Sequence, residues 1–296
     1  MSPAGRPLGR ADPWPAPGKL NLFLHVLGRR ADGYHRLQTA FQFIDLCDEL
    51  RFWERSPGVV ERCSELPGVP AEDDLCVRAA RLLAASAPAV PGVAIEVRKR
   101  LPMQGGVGGG SSDAATVLVA LNELWGLHRS VAELASLGLS LGADVPVFVH
   151  GTAAWAEGVG EQLTPLELPE PVFLLVRPDA TVSTAEIFKA PELTRDSPAI
   201  TIPGFLLAGA RNDCEPVVRR RFPAVAEALD WLGQFAPARL TGTGSCVFAA
   251  MPDEARAREA LARLPRRWTG YVVRGLNRSP LLARRRLERD GSGSGC

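Results

Sequence analysis

The sequence contains very little lysine. Of its 34 basic residues, only Lys19, Lys99 and Lys189 are lysines, and arginine supplies the rest. Because arginine serves almost everywhere else, we hypothesise that these three positions require a compact, rotatable ammonium rather than a planar guanidinium. The alternative is that three lysines have survived by accident.

An excess of charge of one sign is also absent. The 34 basic residues are balanced by 33 acidic ones, which gives a net charge of +1. This balance creates no global field that would attract a polyanion, so nucleic-acid binding is not expected to be the main task of the protein. A local basic pocket is still compatible with it.

Cysteine is sparse, and long apolar runs are missing. The six cysteines never have C-x-x-C spacing, and a chain of 296 residues does not need disulfides to fold, so we expect reduced thiols. No apolar run approaches the roughly 20 residues that cross a bilayer, and the first residues lack the apolar segment of a secretion signal. We therefore expect a cytoplasmic protein without a membrane partner.

The length and composition fit a soluble globular protein with one large domain or two smaller ones. In the first half, apolar runs at 20–26 and 41–44 predict paired strands, and a further strand is predicted at 93–97. Residues 76–85 have the apolar spacing of a helix. Residues 99–110 are predicted to form a loop.

The clearest helix signal begins at Ser112 and ends before Gly126, with serines at the predicted N-cap. Ser130 and Glu133 form the capping-box signature of a second helix. Both predictions rest on capping residues as well as on apolar spacing.

Two more strands are predicted at 145–149 and 153–156. The proline-rich segment 165–171 then marks a domain boundary near residue 165. Beyond it, strands and helices alternate, which predicts a two-layer α+β unit. We therefore expect an N-terminal domain at 1–165, a C-terminal α+β domain at 166–285 and a flexible tail at 286–296.

Residues 102–113 place five glycines directly before the predicted helix. Glycine lets the backbone approach a ligand closely, and free N–H groups at a helix N-terminus attract anions. The segment is a candidate phosphate-binding loop, in which Ser111 and Ser112 can donate to phosphate or help hold a magnesium ion. A flexible loop with a helix cap is the alternative. The spacing matches neither the G-x-x-x-x-G-K-[ST] motif nor the dinucleotide fingerprint.

Two further segments carry weaker signals. Lys19 and Asn21 are two residues apart at the start of a predicted strand, so they share one face and both can point into a cleft. Residues 240–248 contain small residues before an apolar strand, which permits close approach of the backbone. Each signal alone is also compatible with an ordinary surface or turn role.

Together, and in this order, three strings resemble the signature motifs of the GHMP kinases, the superfamily of galacto-, homoserine, mevalonate and phosphomevalonate kinases. They are PAPGKLNL, LPMQGGVGGGSSDAA and LTGTGSCVFA. The strings RADGYHRLQTAFQFIDLCDEL, LGADVPVF and AEGVGE resemble one family within it, whose substrate is a cytidine diphosphate-linked methylerythritol. The resemblance runs from about Pro15 to Pro280.

This resemblance implies an α+β fold of two domains, the second of them ferredoxin-like, with the active site in the cleft between them. The implied reaction moves a phosphate from ATP, with Mg²⁺, to the 2-hydroxyl of that small molecule, which is a step in isoprenoid precursor synthesis.

The resemblance also implies which residues act. Lys19 and Asp144 would be the catalytic pair, because phosphoryl transfer needs a carboxylate to accept the proton of the attacking hydroxyl and a cation near the reacting oxygens. Tyr34 and His35 match positions that recognise the cytidine, and Phe188 matches the second wall of the base stack. The implied ATP-binding residues are Pro102, Met103, Gln104, Gly105, Gly106, Val107, Gly108, Gly109, Gly110, Ser111 and Ser112. The implied substrate-binding residues are Asn21, Tyr34, His35, Lys99, Val159 and Phe188.

Three positions depart from the family pattern. Gln104 stands where a glycine is usual, Gly18 replaces a common alanine, and Asp74 stands where an asparagine often lies near the adenine. An ionised carboxylate cannot donate a hydrogen bond, so the usual adenine contact is in question at Asp74.

Two other functions remain as alternatives. A GHMP kinase for another alcohol, such as homoserine, mevalonate or a sugar, would show no dependence on cytidine. A non-catalytic nucleotide-binding protein on the same fold would have a broken catalytic set, whereas Lys19, Asp144 and the glycine loop are all present.

Overall fold

The computed structural model describes residues 5–66, 68–87 and 89–292. The first half of the chain contains, in order, β1 (Trp14–Arg29), β2 (His35–Arg55), β3 (Val60–Arg62), α1 (Leu75–Ala85), β4 (Gly92–Arg98), α2 (Gly109–Leu124), α3 (Val131–Leu139), α4 (Val145–His150), β5 (Ala154–Glu157) and β6 (Gln162–Pro165). The second half contains β7 (Val172–Arg177), α5 (Thr184–Lys189), α6 (Ile202–Ala208), α7 (Glu215–Arg221), α8 (Pro223–Leu232), β8 (Ala238–Leu240), β9 (Val247–Met251), α9 (Glu254–Ala262), β10 (Thr269–Leu276) and α10 (Pro280–Ser292).

A long antiparallel hairpin of β1 and β2 is the centre of the sheet, which confirms the predicted pairing of 20–26 with 41–44. The strand order is β3-β4-β2-β10-β7-β9-β8, and β5 also pairs with β2. Ile44 and Phe43 of β2 pair with Gly275 and Leu276 of β10. One sheet therefore runs through both halves of the chain.

Of four groups of buried side chains, the three largest pack on this sheet. Helices α1 to α4 cover the strands of the first half, around Leu118 and Phe148. Helices α7 to α9 cover β7 and β9 in the second half, around Leu174 and Val225. The third group lies between the other two and includes Leu20 of β1 together with residues of β7, β9 and β10. The fold is α+β, as predicted.

The two halves exchange elements across the predicted boundary near residue 165. Leu24 and Val26 of β1 belong to the second core, whereas Leu281 of α10 belongs to the first. Arg285 on α10 also donates through Nε to Glu123 Oε1 of α2 at 2.6 Å. The division into 1–165 and 166–285 stays a prediction, and the packing departs from it at these elements.

The predicted flexible tail at 286–296 is wrong for residues 286–292, which continue α10. Charged side chains stabilise this helix. The Arg284 guanidinium lies over the Trp14 ring at 4.4 Å and donates to Glu288 Oε2 at 2.6 Å, one helical turn away. Residues 293–296 lie outside the described residues.

The strand predicted at 145–149 is also wrong, because these residues form α4. Five consecutive apolar residues do not distinguish a short buried strand from a buried helical turn. Pro146 decides the outcome, since its fixed φ suits the first turn of a helix and its nitrogen cannot donate to a sheet. All five residues are buried.

The described cysteines Cys47, Cys63, Cys76, Cys214 and Cys246 are free thiols. Burial raises the pKa of Cys214 and of Cys246 to about 12, so both stay protonated at neutral pH. Cys296 lies outside the described residues. Within the described part of the chain, no helix combines the length and the apolar character that a membrane span requires.

Candidate active site

Lys19 lies at the centre of the site. As predicted from strand alternation, Lys19 and Asn21 are buried on the same face of β1. The Lys19 Nζ donates to Asn21 Oδ1 at 2.5 Å and to the Gly106 carbonyl at 3.3 Å, and it lies 3.2 Å from Asp144 Oδ2. The ammonium is thus held between a strand, the glycine loop and a carboxylate.

Asn21 orients this lysine and is itself fixed on both sides. Its Nδ2 donates to Thr39 Oγ1 at 3.0 Å, which leaves Oδ1 to accept from Lys19. Its backbone N–H donates to Thr241 Oγ1 at 3.0 Å, across the gap between the two halves of the chain. The side chain of Asn21 therefore has one orientation.

Asp144 occupies the residue before α4 without serving that helix. Its side chain makes no capping hydrogen bond, and it is 34% exposed. Lys19 is the cation paired with it. This geometry favours a carboxylate that is available to a ligand over the alternative of a turn residue.

The glycine loop ends at Gly108, which caps α2 in the left-handed conformation with φ 73°. Helix α2 therefore begins at Gly109, and the prediction that serines cap it is wrong. A Cβ on Gly106 would lie 2.3 Å from the Thr241 carbonyl oxygen, and one on Gly108 would lie 2.8 Å from the Phe148 ring. These two glycines allow the loop to pack against the protein itself.

Hydrogen bonds join this loop to the segment after β8. The Cys246 N–H donates to the Gly105 carbonyl at 3.1 Å, and Thr241 Oγ1 donates to the Gly106 carbonyl at 3.3 Å. The Lys19 N–H donates to the Val107 carbonyl at 2.9 Å. The three segments predicted from the sequence therefore meet at one place.

The loop borders a cavity of about 1140 Å³, which also contains Lys19, Asp144 and the aromatic residues described below. Ser111 lines the cavity. Ser112, predicted to bind the cofactor, does not line it, because its side chain is fully buried in the first turn of α2. The other predicted loop residues that line the cavity are Pro102, Met103, Gln104, Gly105, Gly106, Val107, Gly108, Gly109 and Gly110.

The predicted cytidine-binding residues lie on the same cavity, but they are arranged differently from the expected stack. Tyr34 is 63% exposed. Phe188 stacks on His35 instead, with ring centroids 5.1 Å apart and planes at 27°. The reason is that His35 is buried at the start of β2, whereas Tyr34 lies in the preceding turn. Val159 also lines the cavity.

Comparison with known proteins identifies the family. A family profile described as the GHMP kinases N terminal domain matches residues 74–152, and one described as GHMP kinases C terminal matches residues 204–270. The chain is 61% identical over 269 residues to the 4-diphosphocytidyl-2-C-methyl-D-erythritol kinase of Nitrosococcus oceani, which covers 91% of this chain and 96% of the relative. The chain belongs to the 4-diphosphocytidyl-2-C-methyl-D-erythritol kinase family.

A solved structure 33% identical to this chain agrees with the family membership, and a more distant one shows the fold alone. A crystal structure of 4-(cytidine 5′-diphospho)-2C-methyl-D-erythritol kinase has a TM-score of 0.78 and 33% identity, and the match covers 88% of this chain and 98% of that one. The Methanococcus jannaschii mevalonate kinase shares the fold, with a TM-score of 0.65 and 17% identity over 93% of this chain and all of that one.

In this member of the 4-diphosphocytidyl-2-C-methyl-D-erythritol kinase family, Asp74 is not an unpaired substitute for asparagine. Its Oδ1 accepts from the Cys76 N–H at 2.8 Å and caps α1. Its Oδ2 accepts from Arg62 Nη1 at 2.7 Å, and both side chains are buried. Arg62 thus balances the added charge, and no sequence motif marks it as the partner of Asp74.

Two carboxylates that the sequence analysis missed hold Lys99. Asp48 accepts from its Nζ, and Asp113 Oδ2 accepts from it at 2.7 Å. Burial lowers the pKa of Lys99, but the two carboxylates outweigh this effect and raise it overall. Burial raises the pKa of Asp113. Asp48 also accepts from the Leu101 N–H at 2.8 Å, so this cluster fixes the start of the glycine loop.

Magnesium ligands of kinases are usually phosphate oxygens plus one or two protein oxygens. Among the described residues no group of three or more histidine, cysteine or acidic side chains forms a cage for a metal. The Ser111 hydroxyl and the Asp144 carboxylate line the cavity and are hard oxygen donors of the kind that Mg²⁺ prefers. This donor set fits a magnesium ion held mainly by its nucleotide.

Proposed function

We propose that this chain transfers the γ-phosphate of ATP to the 2-hydroxyl of 4-diphosphocytidyl-2-C-methyl-D-erythritol. The Lys19–Asp144 pair, 3.2 Å apart, carries the proposal. The pair lies in a cavity whose wall contains both the glycine loop and the rings of Tyr34, His35 and Phe188. Family membership supplies the identity of the substrate, and the pair supplies the chemistry.

Asp144 would orient the attacking hydroxyl and accept its proton late in the reaction. A carboxylate is a weak base for an alcohol, so positioning comes first and proton transfer follows. Lys19 would stabilise the negative charge on the oxygens of the transferred group. Its ammonium is already oriented by Asn21 and the Gly106 carbonyl, so little reorganisation is needed.

The glycine loop would bind the triphosphate. Residues 103–111 line the cavity and end at the N-terminus of α2, where free N–H groups and the helix dipole favour an anion. Ser111 and Asp144 would hold Mg²⁺ together with the phosphate oxygens. When bound, this ion neutralises phosphate charge.

The cytidine would bind at the aromatic end of the cavity. His35 and Phe188 line it, and the exposed Tyr34 is free to stack on a base. Asn21, Lys99 and Val159 are proposed as further substrate contacts. Lys99 would act mainly through its position beside the start of α2, because two carboxylates already hold its ammonium.

We place this reaction in the cytoplasm and in the non-mevalonate route to isoprenoid precursors. The described cysteines are free thiols, which is in keeping with a reducing compartment.

An activity assay tests the proposal. The purified protein is incubated with ATP, Mg²⁺ and 4-diphosphocytidyl-2-C-methyl-D-erythritol while ADP release is followed, with homoserine, mevalonate and galactose in parallel. We expect turnover of the cytidyl substrate alone. In Asp144→Asn, kcat should fall by about 10²- to 10⁴-fold, because the amide cannot accept the proton.

A cooperative melting curve and ATP binding measured without Mg²⁺ serve as controls, and Asp144→Asn should retain both. Turnover of another alcohol would keep the superfamily chemistry but overturn the substrate. ADP release from none of the four would favour a non-catalytic binding protein.

A further inference from the structure

Arg195 connects the two halves of the chain next to the stacked rings of His35 and Phe188. Its Nη1 donates to the Leu193 carbonyl at 3.0 Å, and its Nη2 donates to the carbonyls of Phe188 at 2.9 Å and Ala190 at 2.7 Å. Its Nε donates to Nε2 of His35 at 3.2 Å. Three bonds therefore stay within the segment around α5, and the fourth reaches β2.

No carboxylate pairs with this guanidinium among the residues that the structure describes, although it lines the cavity. Salt-bridge formation therefore does not explain its place. The guanidinium instead donates to the backbone carbonyl of Phe188 and to the imidazole of His35. These are the two residues whose rings stack at 5.1 Å.

We infer that Arg195 is a positioning residue for the cytidine end of the site: it clamps His35 to the Phe188 segment and so sets the geometry of the aromatic side chains that receive the base. The inference rests on the proposed function, because it assumes that a cytidine binds there. Arg195 itself need not touch the substrate.

The clamp depends on the protonation state of His35. A guanidinium only donates hydrogen bonds, so Nε2 of His35 must be unprotonated to accept one. Burial, Arg195 and Arg29 lower the pKa of His35 and keep it neutral near pH 7. The charged groups that face the ring or adjoin its neighbours are Arg195, Arg29 from β1, the ion pair of Arg30 and Asp32 in the adjoining turn, and Glu186 and Lys189 on α5.

Steady-state kinetics of Arg195→Met test the clamp. We expect KM for the cytidyl substrate to rise about tenfold or more, as the loss of a charged hydrogen-bond donor implies. KM for ATP and kcat should stay within about twofold of the wild type, because the catalytic pair is untouched. Arg195→Lys keeps a hydrogen-bond donor but loses the planar guanidinium, so its KM should lie between those of the wild type and Arg195→Met. This variant also tests the clamp if Arg195→Met folds poorly.

Arg221→Met is the matched control. Arg221 pairs with Glu186 and Glu192 beside the same segment but makes no contact with His35. The Arg221→Met variant should have the same KM for the cytidyl substrate as the wild type. A rise as large as in Arg195→Met would mean that general loosening of the segment explains the effect, and the clamp would be rejected.

The pH profile separates a clamp from a merely structural role. In the wild type, KM for the cytidyl substrate should rise as the pH falls from about 8 to about 5.5, since protonated His35 cannot accept a hydrogen bond from Arg195. In Arg195→Met this rise should be absent. A profile that is the same in both proteins contradicts the inference.

Calorimetric binding of cytidine 5′-diphosphate keeps this test separate from the proposed function. Binding that is tenfold weaker in Arg195→Met supports the clamp even if the wild type shows no turnover, in which case only the proposed reaction fails. Wild-type turnover with equal binding by both proteins overturns the clamp alone. A wild type that neither binds this nucleotide nor turns over overturns both.

Discussion

All three lysines of the chain line the same cavity. Lys19 and Lys99 are buried or nearly so and are paired with carboxylates, whereas Lys189 is exposed at the end of α5. In a chain that otherwise uses arginine, this placement supports the hypothesis that lysine is kept where a compact ammonium is needed.

Exchange of lysine for arginine at these positions should therefore damage activity. In Lys19→Arg the planar guanidinium cannot replace an ammonium that reaches Asn21, Gly106 and Asp144 together, and kcat should fall by about 10²-fold or more. The same assay of Lys99→Arg and Lys189→Arg completes the series.

The exposed Arg266→Lys is the control for this series and should keep full activity. If all three lysine-to-arginine variants were as active as the wild type, the three lysines would be accidental survivors.

For single residues, the sequence predicts the features that local periodicity determines. Alternation along a strand places Lys19 and Asn21 on one face, and the structure confirms it. Asp48 and Arg195 could not be found in this way, because their partners lie 51 and 160 positions away in the chain. Arg195 stands in none of the quoted strings, and Asp48, although it lies within RADGYHRLQTAFQFIDLCDEL, has nothing beside it in the sequence that marks it as the partner of Lys99.

Among the elements, the glycine loop is constrained by the protein more tightly than its composition indicates. Five glycines are typical of a flexible loop, yet Gly106 packs closely against the backbone of the segment after β8. Its φ of 76° is also one that side-chain-bearing residues rarely adopt.

Gly106→Ala should therefore lower the free energy of unfolding by more than about 2 kcal/mol and weaken ATP binding. Its Cβ would lie 2.3 Å from a carbonyl oxygen that belongs to the backbone and cannot rotate away. Urea unfolding and nucleotide titration would measure the two effects.

Gly110→Ala is the matched variant in the same run. Its Cβ would meet only Leu75 at 3.5 Å, within the first turn of α2, so stability should be kept or slightly raised. Equal loss of stability in both variants would show that the close approach at Gly106 is not the cause.

Helix signals in the sequence were most reliable where a cap defines the end. The Ser130–Glu133 capping box is present as predicted. Helix α2 begins three residues before the predicted start at Ser112, because Gly108 caps it through a left-handed backbone and not through a side chain. The short apolar run of α4 carried too little periodicity to tell helix from strand.

For the whole molecule, the class of the fold followed from the alternation of elements, but the packing of its halves did not. Local patterns cannot show that β1 supplies Leu24 and Val26 to the second core or that α10 returns to the first. Both depend on contacts between residues far apart in the chain.

Two buried histidines should make stability fall on mild acidification. Burial lowers the pKa of His25 and of His35 below the usual 6.5. The unfolded chain then binds more protons than the folded one as the pH drops through about 6.5, which favours unfolding. The urea midpoint should therefore decrease between about pH 7.5 and about pH 5.5.

His25→Leu should flatten this dependence, since it removes one of the histidines whose pKa is lowered. A midpoint that stayed constant or rose on acidification would contradict the assignment of both histidines as buried neutral groups.

The hairpin of β1 and β2 has a consequence for how substrates enter and leave. Because the hairpin is built into both cores and β2 is hydrogen-bonded to β10, the floor of the cavity is continuous sheet. The two halves cannot swing apart about a linker, as domains joined by a single crossing do. Exchange of nucleotide and product must therefore take place at the rim of the cavity, to which the exposed turn at 30–34 belongs.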